Sequence, residues 1–313
     1  MRAVVAWVIC FGTALCVALG GWAQGQPPST QAGILTRDGI GARALGMGGA
    51  FTALVDDSTA CYYNPAALSW LTGAHLGGMY ESKFDPGSGV SFQYVSATYR
   101  LTELPLGGGL SVVRRSDRNI PTESGTFDAS ESLILVSAGY GVGGVIPWDG
   151  LEALAVGASL KLYSYRGLAE TRARGAGLDL AVHGAAVLDA WTIALGYRSS
   201  DVGGATIRWR GTRNEIAETV PCGHHVGFGV AFAEWDARAV GEIALYPAEP
   251  ELHSAHVGVE VVFFGFALRL GLRDGAPTVG VGMAILPDLS IDAAMIFHGP
   301  LGQSIVVSSE FAF

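Results

Sequence analysis

The sequence is poor in charge, in cysteine and, beyond its first 23 residues, in long apolar runs. Lys, Arg, Asp and Glu make up 15% of the 313 residues. Ordinary soluble domains carry about 25%, so a conventional water-exposed surface is excluded. Lys and Arg number 19 against 28 Asp and Glu, a formal net charge of -9, which lacks the basic footprint of a nucleic-acid partner. Disorder is excluded as well, because 50% of the residues are hydrophobic and a disordered chain is poor in them. Of the four cysteines, Cys10 and Cys16 fall in an apolar leader. Cys61 and Cys222 remain, either as two free thiols or as one bridge, and in neither case do they make a disulfide framework.

Residues 1–23 read as a signal peptide. Met1 and Arg2 form a short positive region, Ala3 to Leu19 is almost wholly apolar, and Gly21-Trp22-Ala23 places small residues at a cleavage site. Beyond it no stretch of about 18 apolar residues lacks charge, which excludes a helical membrane protein. The longest candidate, Val257 to Leu272, is broken by Glu260 and Arg269. What fills the chain instead is alternation with period two. Trp191, Ile193, Leu195 and Tyr197 share one face of a strand and Thr192, Ala194, Gly196 and Arg198 the other. Val226, Phe228, Val230 and Phe232 oppose His225, Gly227, Gly229 and Ala231 in the same way.

The second face separates a soluble sandwich from a membrane barrel. In water it would be roughly 25–35% charged; here it is mostly Gly, Ala, Ser and Thr, which suits the crowded interior of a closed barrel whose apolar face meets lipid. Candidate strands number about fourteen, centred near residues 80, 95, 111, 137, 160, 181, 195, 228, 242, 257, 269, 281, 293 and 308. If the first strand leaves the periplasm, the long connections 117–131 and 201–222 fall outside. Leu188-Asp189-Ala190, Glu234-Trp235 and Pro287-Asp288 make short inner turns, and Gly143 to Ala153 is a long inner exception. The expected fold is all-β: a transmembrane antiparallel β-barrel over residues 76–313, its lumen plugged by an N-terminal hatch over residues 24–75. Phe313 ends the last alternating strand and resembles the outer-membrane assembly signal, which implies the barrel-assembly machinery as a partner.

Residues 41–68 read GARALGMGGAFTALVDDSTACYYNPAAL, without strand alternation. Asn64-Pro65 predicts an N-cap and a first-position Pro for a short helix through Leu71. The segment fits inside the barrel as a plug or packs under its rim. It resembles the N-terminal hatch of the FadL-like superfamily of outer-membrane barrels, and more closely the PorV/PorQ-like branch. Gly41, Ala42, Arg43, Gly46, Met47, Gly48, Gly49, Ala50, Phe51, Asp57, Asn64, Pro65 and Ala66 carry the match. Ala67 stands where that pattern commonly has Gly.

The resemblance implies passive uptake of hydrophobic, fatty-acid-like molecules through a hatch-gated lumen with lateral exit into outer-membrane lipid. Gly107, Gly108 and Gly109, just after Pro105, are the candidate opening, since consecutive glycines beside a Pro mark a bulge or interrupted ladder. The PorV-like alternative is an accessory of type IX secretion, with secretion-system proteins as partners. By strand parity Lys161, Asp179, His183, Arg238, Glu242, His256, Glu260, Arg269 and Arg273 face the lumen. His183 with Asp179 and His256 with Glu260 lie four residues apart on strands, about 13 Å, too far for a local metal pair. Cross-strand ion pairing that braces the plug is the simplest role for these charges. The G-x-G-x-x-G match at Gly139 to Gly144 is followed by Val145-Ile146-Pro147 where a helix should open. His224 and His225 adjoin in an expected outer loop. No catalytic motif, metal or cofactor is predicted, and no enzyme.

Overall fold

The alternating segments close into one barrel. The computed structural model describes residues 32–85, 87–122, 125–142, 153–168, 171–212 and 216–313. The expected leader and the connection 143–152 lie outside the described residues. The strands are β1 (Ala74–Ser82), β2 (Val90–Arg100), β3 (Leu106–Thr122), β4 (Gly125–Gly141), β5 (Ala153–Arg166) and β6 (Arg172–Leu188). Next come β7 (Trp191–Ser200), β8 (Ala205–Arg210), β9 (Ala217–Val220), β10 (Gly223–Phe232) and β11 (Ala237–Leu245). The series ends with β12 (Ser254–Phe263), β13 (Phe266–Arg273), β14 (Ala276–Leu286), β15 (Leu289–Phe297) and β16 (Gln303–Ala312).

Every pairing is antiparallel; β1 pairs with β16 and β5 with β6, so the ring has no open edge. Of the 16 strands, β8 and β9 form a side hairpin bound to the end of β6, which leaves fourteen in the wall. All fourteen expected strand centres fall inside these wall strands. Closure removes the unpaired edges that a long meander would otherwise expose.

The outer face carries Leu76, Val95, Leu110, Val136, Leu160, Leu178, Phe228, Val259, Leu270 and Val281, all exposed. Such a continuous apolar belt has no stable place in water and matches the lipid-facing band of a membrane barrel. At the end of the barrel that holds the C-terminus, here the turn end, Trp191, Phe232 and Trp235 cluster with ring centroids 4.4 and 5.3 Å apart. Phe311 and Phe313 lie there at 5.1 Å. Aromatic girdles of this kind sit at bilayer interfaces. No helix among the described residues is long and apolar enough to cross a membrane.

Two connections differ from the sequence expectation. Residues 117–122 and 125–131 are strand, not loop, because β3 runs to Thr122 and β4 starts at Gly125. Their polar side chains hid strands that continue pairing beyond the length of about 9–11 residues that crosses a bilayer. His224 and His225 lie in β10, not in a loop, paired to β7 and β11.

Candidate functional site

The described N-terminal residues from Ala32 to Gly73 lie inside the barrel, not under its rim. They form three short helical turns, α1 (Ile34–Arg37), α2 (Ala42–Gly46) and α3 (Ala60–Tyr63), and a 3-10 turn, Pro65–Ser69, all largely buried. Asn64 caps the last of these, its Oδ1 accepting from Ala66 N at 3.1 Å with Pro65 in the first position. The turn is 3-10 and stops at Ser69, short of Leu71. Its first residues, Pro65 and Ala66, pack directly against the paired barrel glycines Gly139 and Gly157.

Glycine seats this segment around the wall. A Cβ on Gly107 would come within 3.0 Å of Leu68 O, on Gly109 of Cys61 Sγ, and on Gly157 of the Pro65–Ala66 backbone. On Gly196 it would meet Thr52 O, on Gly258 Met47 O, and on Gly271 Gly48 N. Gly46 packs against Gly280. Gly48 is confined twice over, by φ +75 and by the Leu272 and Val257 carbonyls. Small residues on the inner face are therefore the contact surface of the segment, not mere easing of barrel curvature.

Polar contacts lock the seat. At the turn end Arg43 binds Asp56 at 2.5 Å and Glu260 at 3.0 Å, and Arg238 reaches the same Asp56 at 2.9 Å. Arg269 joins Glu260 and Asp292 at 2.6 Å each. Burial pushes the Asp56 carboxyl up, but Arg43 and Arg238 outweigh it and hold it below its ordinary value. Its neighbour Asp57 is raised to about 7, by burial first and by the nearby Glu310 second. Glu310 in turn accepts from Ser58 N at 2.8 Å and pairs with His75 at 3.0 Å. Four residues beyond Arg238 on β11, Glu242 Oε2 accepts from Phe51 N and Thr52 N, both at 3.0 Å, while its Oε1 meets His225 Nδ1 at 3.1 Å. Phe51 stands edge-on to Tyr63 at 5.5 Å. Asn64 Nδ2 donates to Thr52 O at 2.9 Å, and His183 Nε2 lies 2.7 Å from Ala53 O.

The sequence-predicted lumen residues all lie on the inner face, and the closed barrel sorts them into separate groups. Arg238, Glu260 and Arg269 meet at the turn end; Lys161 and Asp179 form a buried pair at 2.7 Å on the opposite wall. His256 lies beside Gly49, and Arg273 Nη2 donates to Arg37 O at 2.9 Å. Three partners were missed. Arg198 shares the inner parity of β7, so its signal was present. Asp56 has no periodic pattern around it. Asp201, 2.9 Å from Lys161, turns inward from beyond β7 in a left-handed conformation, φ 49, which alternation cannot reveal.

A polar cavity of about 280 Å³ lies between the segment and the wall, lined by Tyr62, Arg198, His225, Glu242, His256 and Arg273 among others. Arg198 donates to Tyr62 O, but its Nε and His256 Nδ1 have no hydrogen-bond partner, while His256 Nε2 faces Asp274 Oδ2 at 3.6 Å. The ladder at Gly107, Gly108 and Gly109 is continuous with both β2 and β4, so no interruption is found there; the register shift of β3 falls between Asp117 and Ile120. Glycine is tolerated here because Leu68 and Cys61 fill the inner side. On the outer side Gly108, Ala97 and Ala138 leave an open recess of about 420 Å³ rimmed by Tyr99 and Leu101. Cys61 and Cys222 are free thiols. Among the described residues no group of three or more His, Cys, Asp or Glu could hold a metal ion.

No family model and no curated protein matches the chain. Solved structures do. The Pseudomonas putida toluene transporter TodX superposes with a TM-score of 0.62 at 15% identity, over 88% of this chain and 99% of that one. The Ralstonia pickettii toluene transporter TbuX gives 0.55 at 16% identity, over 88% and 99%. A Pseudomonas aeruginosa FadL homologue gives 0.54 at 12%, over 88% and 98%. The likeness is one of architecture: this chain has the fold of the FadL-like outer-membrane barrels.

Proposed function

We propose that the protein is a passive conduit for apolar small molecules in a bacterial outer membrane, with the N-terminal segment as its gate. The observation that carries this reading is a lipid-facing barrel whose lumen is filled by a segment held through glycine seats and ion pairs, not by covalent bonds. Solved barrels of the same fold are toluene transporters, and fold likeness alone is an analogy that the site must support. The cavity lined by Arg198 and His256 offers the unpaired Arg198 Nε–H to the polar end of a fatty-acid-like ligand. The glycine patch of β3 is bare of side chains at Gly107 and Gly109 inside and at Gly108 outside. Withdrawal of Cys61 and Leu68 would uncover it from within, which makes it the favoured lateral exit.

The test uses the native thiol. Gly109→Cys in a Cys222→Ser background places a second sulfur against Cys61, close enough for a disulfide to form. Uptake of a labelled fatty acid or of toluene into proteoliposomes should stop on oxidation and return on reduction. Equal uptake by the locked and released forms would refute gating by this segment. Retention of an exported protein by a barrel that passes no apolar solute would favour the secretion-accessory reading.

A further inference from the structure

The barrel wall is uneven in height. β12, β13 and β14 have 10, 8 and 11 residues, whereas β3, β4 and β6 have 17 each. The outward side chains of β13 are Phe266, Leu268, Leu270 and Leu272, all exposed and all apolar. From the first to the last is about 20 Å along the strand, and about 14–16 Å along the bilayer normal at a tilt of about 35–45°. Even with one turn residue at each end, Gly265 to Asp274, the wall stands only about 21–24 Å tall. The apolar band of an outer-membrane barrel is about 25 Å tall, so hydrocarbon reaches both tips of this sector. Phe264, 97% exposed, marks one tip, and the two-residue turn Asp274-Gly275 marks the other. Elsewhere the belt is topped by a polar collar, as on β5, where the exposed Ser164 and Arg166 follow Leu162. Among the described residues β13 carries no such collar.

The last outward row before the turn, Val257, Leu272 and Pro277, is paired across the three strands and exposed on each. One residue along β12 and β13, His256 and Arg273 turn inward and line the polar cavity, together with Ile34, Tyr62 and Leu252. Asp274, about half exposed, lines the same cavity. The turn that meets the leaflet is therefore also the rim of the cavity. At this sector lumen and bilayer are separated by the height of one turn.

A wall shorter than the hydrocarbon is met by thinning of the bilayer, which brings the headgroups down to Asp274-Gly275. Each methylene favours the leaflet over water about fourfold, so a long acyl chain resides in the leaflet and not in the water above it. We propose, resting on the conduit reading above, that the β12–β14 sector is a low lip over which single-chain amphiphiles dissolved in the bilayer enter the cavity directly from the leaflet at the loop end. The chain stays against Val257, Leu272 and Pro277 while its polar end crosses the rim toward His256 and Arg273. The pool on which the protein draws is then the membrane itself, not the aqueous phase.

The experiment places the full-length barrel in phosphatidylcholine vesicles and mixes in palmitic acid bearing a terminal diazirine, with photolysis at intervals and the adducts mapped by peptide mass spectrometry. The wild type should be labelled at the rim, within residues 252–257 and 272–277, and in the cavity near Ile34 and Tyr62. A polar insert, Thr-Thr-Asn-Gly-Thr-Thr, after Gly275 doubles back to raise the lip by about 10 Å, above a headgroup layer of about 5–8 Å. Two methylenes exposed on the way over cost about sixteenfold, so the raised lip should slow cavity labelling from the bilayer about tenfold or more and leave rim labelling in place. Delivered in detergent micelles, the probe should label the cavity of both proteins alike. Cavity labelling from the bilayer as fast in the raised-lip barrel as in the wild type would overturn the entry route and leave the conduit reading standing. No cavity labelling of the wild type by either delivery would sink the conduit reading, and this proposal with it. Should the insert fail to fold, judged by heat-modifiable gel mobility, or shut out the micellar probe as well, bimane on Leu272→Cys in a Cys222→Ser background decides. Quenching by lipids carrying a nitroxide near the headgroup, and not by iodide, is expected; the reverse would overturn the proposal.

Discussion

Removing the Glu242 carboxylate should loosen the N-terminal segment without opening the barrel. Its Oε2 accepts from two successive backbone N–H groups, Phe51 and Thr52, at 3.0 Å each. Hydrogen bonds to a charged group contribute about 1.5–3 kcal/mol apiece, and both donors would stay buried and unpaired in Glu242→Ala. The local seat therefore loses about 3–6 kcal/mol. At 1.4 kcal/mol per decade this raises the local opening equilibrium roughly a hundred- to ten-thousandfold. Hydrogen exchange followed by mass spectrometry on proteoliposomes reads this directly, because local opening sets amide protection. Peptides covering residues 50–54 should lose about two to four decades of protection while those of β1 and β14 keep theirs. Glu242→Gln retains a carbonyl oxygen and should lose only about tenfold. Unchanged protection in Glu242→Ala, or a loss spread evenly over the wall, would refute the assignment of Glu242 as an anchor of the segment.

Gly157→Val should unseat the segment, since the added carbons meet the Pro65–Ala66 backbone, which cannot rotate away; a protease added from the loop end should cut the variant between residues 32 and 73 and spare the wild type. Asn64→Ala removes a cap and the tether to Thr52 O, so thermal unfolding of the segment, followed by exchange at Ala66, should shift by about 1–2 kcal/mol. Lys161→Ala strands the buried Asp179 and Asp201 carboxylates and should destabilise the β7–β8 corner by about 3–5 kcal/mol, read as an earlier heat-modifiable transition. Asp57, facing Arg43, Asp56, Thr59 and Glu310, is raised to about 7, above the ordinary carboxylate value of about 3.9. The seated form thus holds the proton more tightly than the released one. Its stability is greatest below about pH 4 and falls as pH rises toward 7; intrinsic-rate-corrected exchange at residues 57–60 should be slower at pH 6 than at pH 8, and Asp57→Asn should flatten that dependence.

What could be read along the chain is whatever a strand encodes by itself. Side chains alternate with period two, so Leu195 and Phe228 declare the lipid face and Lys161, Asp179 and Glu260 the inner one before any strand is paired. Asn64-Pro65 marked its own turn because a cap acts within a few residues. Where the barrel outruns the bilayer this signal failed: residues 117–122 and 125–131 lose their apolar face yet keep pairing, since backbone ladders do not depend on which solvent surrounds them. His224 and His225 were misplaced for the same reason, being polar residues of a strand end, His225 turned inward to Glu242 and His224 stacked on Tyr197. Closure decided the rest. The partner of Glu260 is Arg43 from a segment 217 residues away in sequence, and the partner of Lys161 is Asp201 from a turn folded inward. The glycines of β3 read alone as a flaw in the ladder, but with Leu68 and Cys61 behind them they are a seat. Ion pairing and close packing depend on distance in space, and that distance is set only once fourteen strands have joined into a ring around the segment they enclose.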